Sequence, residues 1–421
     1  MDRREFLKVA TLSSLTYLFP WGRGWAFSNG KDDADSQKLI VIFLRGAADG
    51  LNVVAPYGDA IYHQLRPTIA LPGPGLQDGV IDLDGYFGLH PALAAMMPFW
   101  RNKTLAFVHA SGSPDSTRSH FDAQDYMESG VPGLKTLSSG WLNRLVSQLP
   151  SKRSPVQAIS LGPVLPRIFA GLASVATVPP NITTQLMAID RPAVAESFKE
   201  LYQGLNNDLG KAFAEGISAH HEINEVLSSA DDNPPPGPMN REEIMANRGA
   251  PTPRKYNAFG QQLAGLFRKD PSIQIAFLDF GGWDTHVNQG AATGQLANHL
   301  TPLAQGLADL VSGLGPLYKK TSIIVMSEFG RTAHENGNGG TDHGHGNVMW
   351  LLGGQLSGGK VYGRWAGLST NALHEARDLP TTTDFRAVLC QILIDQLGVS
   401  KPALAKIFPD FRPPGNPFLQ T

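Results

Sequence analysis

The sequence predicts an α/β fold with a largely parallel central sheet and helices on both faces. One observation is a set of short, almost wholly apolar runs, at residues 38–44, 104–110, 156–162, 273–280 and 321–329. Runs without polar alternation are typical of strands buried on both faces, as in parallel sheets. The other is a set of stretches with helical periodicity between them, at 91–100, 191–227, 256–268 and 295–318. Such alternation indicates a layered α/β domain.

Length and composition indicate one large domain with an insertion. The chain has 421 residues, of which 42% are hydrophobic and 17% charged, and its formal net charge is −2. We expect a single domain over residues 38–421, with a helical and proline-rich insertion around 191–255. Residues 228–255 are rich in proline and polar side chains, which predicts an extended, peripheral segment that could cap the sheet.

Charge and hydropathy exclude two classes of partner. No stripe rich in lysine or arginine is present, so we expect no nucleic-acid partner. No apolar run reaches the roughly 18 residues that a spanning helix needs, so we expect no stable membrane span. The only cysteine, Cys390, lies in an apolar helical stripe, which predicts a small core residue rather than a nucleophile.

The first 26 residues resemble a twin-arginine export signal. Arg3 and Arg4 precede Phe-Leu-Lys and a moderately apolar stretch, although Asp2 stands where Ser or Thr is usual. We expect cleavage after Ala26, the twin-arginine translocase as a partner during export, and a periplasmic or secreted product. The alternative is an ordinary amphipathic N-terminal helix.

Polar side chains follow the predicted strands at the edge where α/β proteins bind their ligands. Asp284 and His286 are two residues apart, as are His343 and His345, so in an extended turn each pair can point the same way. Mixed imidazole and carboxylate ligands fit zinc or manganese, with zinc favoured, whereas a carboxylate-only subset could take magnesium or calcium. The alternative is a set of solvated turns. The polar side chains at the carboxyl ends of the predicted strands are Asp49, Ser119, His120, Asp279, Asp284, His286, Glu328, Asp342, His343 and His345.

Three side chains, Ser119, His120 and Arg331, are the candidates for catalysis. Ser119 precedes an amphipathic run, where it could cap the helix through its side-chain oxygen or act as a nucleophile at the positive helix end. His120 follows it directly and is grouped with it. Arg331, together with Arg118, could clamp an anionic substrate.

The late motifs carry a resemblance to a known family. The segments "FLRGAADGLNVVAPY", "SHFDAQDYMESG", "FGGWDTH", "SEFGRTAHENGNGGTDHGHGN" and "DFRAVLCQIL" resemble the DUF1501 family of exported bacterial proteins. That resemblance implies the fold of the alkaline phosphatase/sulfatase superfamily, whose members bind two metals at the carboxyl ends of a parallel sheet.

The resemblance also implies roles for particular residues. It implies that Asp49 is the strand-1 metal ligand, that Ser119 occupies the nucleophile position, and that Asp284 and His286 are an Asp…His ligand pair, with Asp279 as a rival for its aspartate. Glu328 stands where an Asp is usual, and Phe329 where a ligand histidine is expected. His343 and His345 could supply the missing nitrogen.

Three functions follow as alternatives. The first is an exported metal-dependent hydrolase of phosphate or sulfate esters, acting on an anionic small-molecule or polysaccharide substrate. The second is a non-catalytic metal-binding envelope or assembly protein that keeps the fold. The third is a carbohydrate-binding or processing accessory protein.

Overall fold

The computed structural model describes residues 36–150, 157–162, 164–178 and 246–414. In this part of the chain, nine strands form one sheet and three short strands form another. The strands are β1 (Lys38–Leu44), β2 (Val54–Ala55), β3 (Ile81–Asp82), β4 (Gly88–Leu89), β5 (Leu105–Gly112), β6 (Ala158–Leu161), β7 (Ala176–Val178), β8 (Ile275–Phe280), β9 (Thr321–Ser327), β10 (Asn347–Gly353), β11 (Val361–Tyr362) and β12 (Thr383–Asp384).

Two α-helices of the described residues, at Phe259–Lys269 and Gln295–Leu314, match the predicted stretches 256–268 and 295–318, and the stretch 91–100 is a 3₁₀ helix followed by the start of an α-helix. The α-helices are α1 (Gly50–Val53), α2 (Ala60–Leu65), α3 (Met97–Arg101), α4 (His120–Ser129), α5 (Trp141–Val146), α6 (Phe259–Lys269), α7 (Gln295–Leu314), α8 (Phe385–Asp395) and α9 (Lys401–Ile407). Short 3₁₀ helices occupy Pro91–Met96, Arg167–Phe169, Pro253–Tyr256 and Gly315–Lys320.

The large sheet is parallel except at one strand. Its order is β11-β5-β10-β9-β1-β8-β6-β7, and β12 also pairs with β5. Strand β1 is at the centre, parallel to β8 on one side and to β9 on the other. Strand β10 is antiparallel to both β5 and β9. It is absent from the predicted strands, although its run from Val348 to Leu352 is wholly apolar and offered the signal.

Helices cover both faces of this sheet, so the predicted fold class is confirmed. On β1, Ile40, Ile42 and Leu44 belong to the hydrophobic cluster that contains α6 and α7. The alternate residues Val41 and Phe43 belong to the cluster that contains α5, α8 and α9. A strand buried on both faces has no polar side, which explains why "KLIVIFL" lacks alternation.

Some predictions fall partly or wholly outside the described residues. The export signal at 1–26 lies outside them, as does most of the insertion around 191–255. The described end of that insertion is packed rather than peripheral, because Ala246, Asn247 and Ala250 are buried. Cys390 is a buried core residue, and burial raises the pKa of its thiol to about 12. Among the described residues, no helix has the length and apolar character to cross a membrane.

Candidate metal centre

Four side chains converge at the carboxyl edge of the sheet. His120 is the first residue of α4, directly after the N-cap Ser119. Asp284 and His286 lie in the loop after β8, and His343 lies in the loop between β9 and β10. Because β8, β1 and β9 are neighbouring parallel strands, the loops after them meet at one edge.

The converging atoms are three imidazole nitrogens and one carboxylate oxygen. His343 Nε2 lies 2.9 Å from His120 Nε2 and 3.0 Å from His286 Nε2. Asp284 Oδ1 lies 3.5, 3.0 and 3.3 Å from Nε2 of His120, His286 and His343. Ligand atoms of His120, Asp284 and His343 form a group in which all pairs are within 4.8 Å. We call these four side chains the histidine cluster.

The contacts of the three Nδ1 atoms determine which nitrogen of each histidine ring carries the proton. Each Nδ1 contacts an oxygen that can only accept: Glu328 Oε1 at 2.7 Å from His120, Asp342 Oδ1 at 3.1 Å from His286, and the Arg118 carbonyl at 2.9 Å from His343. Each Nδ1 must therefore carry the proton. In the neutral rings, three Nε2 lone pairs and a carboxylate oxygen then face one another.

This donor set fits a divalent cation. Acceptors that face one another repel unless a proton or a cation lies between them. Metal–nitrogen bonds of about 2.0–2.1 Å in tetrahedral geometry put neighbouring ligand atoms about 3.3 Å apart, and the separations of 2.9–3.5 Å among His120, Asp284 and His343 surround that value. His286 is close to His343 and Asp284 but lies outside the group of three whose ligand atoms are all within 4.8 Å of one another. Carboxylate or carbonyl partners on the second nitrogen are also the usual surroundings of metal-binding histidines.

The charges of the cluster are coupled. Burial alone would lower the pKa of His120, but hydrogen bonds to Asp284 and Glu328 outweigh it and raise the pKa to about 9. Burial would raise the pKa of Glu328, but the hydrogen bond from His120 lowers it to about 2. The three histidines and Arg331 likewise lower the pKa of Asp284 against its burial. Without a cation, a proton on His120 therefore neutralises part of the cluster.

We expect metal uptake at pH 7 to release a proton. His120 is protonated below a pKa of about 9 in the cation-free protein, and a ligand must be deprotonated to bind. Affinity should therefore rise with pH up to about pH 9 and then level off. Calorimetry in buffers of different ionisation enthalpy measures the released protons, and a release that does not depend on pH between 6 and 10 would contradict this coupling.

Arg331 is buried and holds the carboxylate of Asp284 in place. It is therefore not an exposed side chain that could clamp an anionic substrate. Its side chain is buried, and its donors contact the carbonyls of Ala47, Gly46 and Trp283 and the carboxylate of Asp284. The contact to Asp284 Oδ1 measures 2.5 Å. A guanidinium saturated in this way positions Asp284 and has little capacity for a substrate.

The glycines around His343 allow two chain segments to approach closely. Gly330 N donates to the His345 carbonyl, and Gly344 N donates to the Gly330 carbonyl. A Cβ on Gly330 would lie 1.8 Å from the Gly346 oxygen, and one on Gly344 would lie 2.3 Å from the Arg331 carbonyl carbon. These glycines therefore allow the close backbone packing that places His343 beside Asp284.

His345 does not join the cluster. The backbone bends at His345 instead of continuing in an extended conformation from His343. The two side chains therefore do not point the same way. His345 is buried and stacks on His374, with ring centroids 4.8 Å apart. Burial lowers the pKa of His345. The expectation that spacing alone pairs His343 with His345 is therefore corrected.

Asp49 is held by an arginine instead of facing the histidine cluster. Its two oxygens lie 2.6 and 3.0 Å from the Arg66 guanidinium, and Gln289 donates to Asp49 Oδ2 at 2.6 Å. Asp49 and Arg66 are both fully buried. The rival aspartate, Asp279, is paired with Arg45 at 2.5 Å. Of the four candidate aspartates, Asp284 is the one whose carboxylate contacts the Nε2 atoms of all three histidines.

Glu328 and Asp342 orient histidines rather than meeting at the centre. Glu328 is fully buried, and its Oε1 accepts from Gly46 N, Gln124 Nε2 and His120 Nδ1. Asp342 is half-exposed and contacts His286 Nδ1. These carboxylates fix ring orientation, a role that strand-end position alone does not distinguish from direct ligation.

Ser119 and Phe329 border the cluster. Ser119 is the exposed N-cap of α4, but its side chain makes no capping hydrogen bond, so the capping interpretation holds for its position alone. The Phe329 ring is buried and packs 4.8 Å from the His120 ring and 5.2 Å from the His343 ring. It forms an apolar wall behind two candidate ligands.

Comparison with known families gives one family match. The sequence model of the DUF1501 family, described as a protein of unknown function, matches residues 90–407. No curated protein sequence matches the chain.

Several solved structures share a distant likeness. The C-terminal periplasmic domain of EcEptC from Escherichia coli, in complex with Zn, is 11% identical, with 93% of each chain covered and a TM-score of 0.38. The PsFucS1 sulfatase from Pseudoalteromonas sp. is 14% identical, with 96% of this chain and 73% of that chain covered and a TM-score of 0.38. Alkaline phosphatase from the Antarctic bacterium TAB5 is 9% identical, with coverages of 76% and 92% and a TM-score of 0.31. At these values, neither substrate nor metal content carries over to this chain.

Proposed function

The chain belongs to the DUF1501 family, and we propose that it is an exported, divalent-metal-dependent hydrolase of phosphate or sulfate esters. The observation that supports this most is the convergence of three Nε2 atoms and Asp284 Oδ1 within 2.9–3.5 Å of their neighbours. A cation at that position would supply Lewis-acid stabilisation of developing negative charge. Zinc suits the mixed nitrogen and oxygen donors, and manganese is the next choice.

The remaining residues of the proposed site would hold the metal ligands in place and orient the reacting groups. Arg331 fixes Asp284, and Glu328 fixes His120 in the Nδ1–H form. Ser119 is exposed beside His120, and its hydroxyl is free of a capping bond. A hydroxyl at a helix N-terminus is placed to attack an ester, because the positive helix end stabilises the developing charge.

A metal-binding protein without turnover is the second candidate. The described residues contain one group that could hold a cation, whereas the resemblance to the phosphatase superfamily implies two metals. Asp49 and Asp279 are each neutralised by an arginine, and Phe329 stands at a position where a ligand was expected. These features favour a single cation whose role could be structural.

Metal content and ester assays separate these candidates. We expect the mature protein to purify with about one equivalent of zinc or manganese, and to hydrolyse p-nitrophenyl phosphate or p-nitrophenyl sulfate in a chelator-sensitive way. Retained metal without hydrolysis of any phosphate or sulfate ester would favour the binding protein. Protein that takes up no divalent cation would reject both.

Ser119→Ala tests the nucleophile assignment. We expect turnover to fall about a hundredfold or more, because a covalent step would lose its attacking oxygen. Metal content and stability should hardly change, since Ser119 is exposed and its side chain makes no cap bond. Ser116→Ala, at an exposed serine three residues earlier, is the hydroxyl control, and unchanged turnover in Ser119→Ala would assign attack to another group.

Export is tested at Arg3 and Arg4. Replacing both by lysine keeps the charge but removes the pair that the twin-arginine translocase recognises. We expect full-length precursor to accumulate inside the cell and mature protein to be reduced at least about tenfold outside it. Cell fractionation and immunoblotting measure this, and undiminished export of the variant would remove the twin-arginine route from the proposal.

A further inference from the structure

A cavity of about 170 Å³ lies beside the histidine cluster and shares none of its residues. It is lined by residues at the ends of β1, β6 and β8 and by residues 248–250. Its charged lining consists of three arginines and one acid: Arg45, Arg167, Arg248 and Asp279. We call it the arginine cavity.

Arg45 brings a buried guanidinium to this cavity. Its Nε donates to Asp279 at 2.5 Å, and its Nη1 donates to Gln124 at 2.8 Å and to Glu128 at 2.9 Å. Burial opposes its charge, but Glu128 and Asp279 raise the pKa of Arg45, so it stays charged. Within the described residues, Nη2 makes no hydrogen bond, which leaves two N–H groups for a ligand.

Two more side chains that line the cavity have hydrogen-bond donors that are not used by the described residues. Arg248 contacts Glu128 through Nη1 and the Phe121 carbonyl through Nη2, and its Nε has no hydrogen bond to the described part of the chain. Ser160 is 1% exposed, and over the described ranges its hydroxyl also makes no hydrogen bond. These groups line the cavity, where their N–H and O–H donors are available to a ligand or to water.

We propose that the arginine cavity binds a small oxyanion, phosphate or sulfate, at a site separate from the histidine cluster. Each of the three guanidinium groups has a carboxylate partner: Arg45 pairs with Asp279 and Glu128, Arg248 with Glu128, and Arg167 with Asp125. The case for an anion therefore rests on the N–H groups of Arg45 and Arg248 and on the Ser160 hydroxyl, which have no hydrogen bond to the described residues and line the same cavity. The planar guanidinium fork matches the oxygens of a tetrahedral anion. The oxyanion is either a free ion or the terminal group of a larger ligand.

The arginine cavity is connected to the candidate metal centre by hydrogen bonds. Gln124 accepts from Arg45 and donates to Glu328 Oε1 at 2.9 Å, and the same oxygen contacts His120 Nδ1. An anion at Arg45 would therefore lie close to the proposed reaction site while leaving its ligands untouched. The inference does not depend on hydrolase activity.

Calorimetry on chelator-treated protein tests this site, because removal of cations suppresses anion binding at the histidine cluster. We expect inorganic phosphate or sulfate to bind at about one equivalent. Ser160→Ala should weaken binding about tenfold, since it removes one hydrogen bond to a charged ligand. Arg248→Met should weaken it more than about tenfold. Arg268→Met, at an arginine that does not line the cavity, is the matched control and should change affinity less than about twofold.

Further outcomes identify the ligand of the arginine cavity or overturn the proposal. Binding of glycerol phosphate without binding of either free ion would support a terminal phosphoryl group as the ligand. His343→Ala should keep the anion, so loss of binding in that variant would place the anion at the histidine cluster and overturn the proposal. Absence of binding by all three probes, or equal affinity in wild type and Arg248→Met, would also overturn it.

Discussion

His343→Ala should purify essentially free of metal and without ester hydrolysis. Its Nε2 lies within 3.3 Å of the donor atoms of His120, Asp284 and His286, so its loss opens the centre of the cluster. Loss of an outer-shell partner already costs metal sites about 10–100-fold in affinity, so loss of a ligand should cost about a hundredfold or more. Elemental analysis and zinc titration measure this.

His345→Ala is the comparison that separates structure from spacing. His345 lies two residues away but stacks on His374 instead of meeting the cluster. We expect its metal content to match wild type, with a stability loss of about 1 kcal/mol from the lost ring contact. The exposed His334 lies in the same glycine-rich loop, and His334→Ala should leave metal content and stability unchanged.

Two outcomes would contradict this picture. Equal metal loss in the His343 and His345 variants would mean that the loop binds through both rings, as the sequence spacing suggested. Full metal content in His343→Ala would place the cation elsewhere and reduce the cluster to a proton-sharing network. Circular dichroism spectra of each variant exclude unfolding as the cause of metal loss.

The sequence predicts the sheet well because burial leaves a direct signature. The run at 38–44 is apolar throughout, and β1 spans the same residues. Strand β10 was missed since it follows the glycine-rich loop without a helix, and strand–helix alternation does not predict an antiparallel insertion. The apolar runs thus located β1, β5, β6, β8 and β9, whereas the buried antiparallel strand β10 is not among them.

The candidate site was predictable in place but not in detail. The rule that ligands bind at the carboxyl ends of strands located His120, Asp284 and His343 together. It could not show that a backbone bend turns His345 away or that an arginine captures Asp49, because both depend on contacts distant in the chain. Residue type gives the chemistry that is available, and long-range pairing decides which group remains free.

Arg66→Met should cause the largest loss of stability among the proposed substitutions. Arg66 and Asp49 are both fully buried, and Arg66 also donates to Asn52 Oδ1 and to the carbonyls of Ala333 and Thr332. Removing one partner of a buried ion pair leaves the other charge unpaired and typically costs about 3–5 kcal/mol. Chemical unfolding of the metal-free protein measures this cost without a contribution from bound cation.

The double variant Asp49→Asn/Arg66→Met distinguishes pairing from ligation. If the two side chains serve each other, the double variant should be more stable than Arg66→Met, because no unpaired carboxylate remains buried. Asp49→Asn alone should keep its metal, since both Asp49 oxygens contact Arg66. Lys135→Ala breaks an exposed pair with Asp122 and should not measurably change stability. Metal loss in Asp49→Asn, with folding intact, would restore Asp49 as a ligand and require a rearrangement of the Arg66 pair on cation binding.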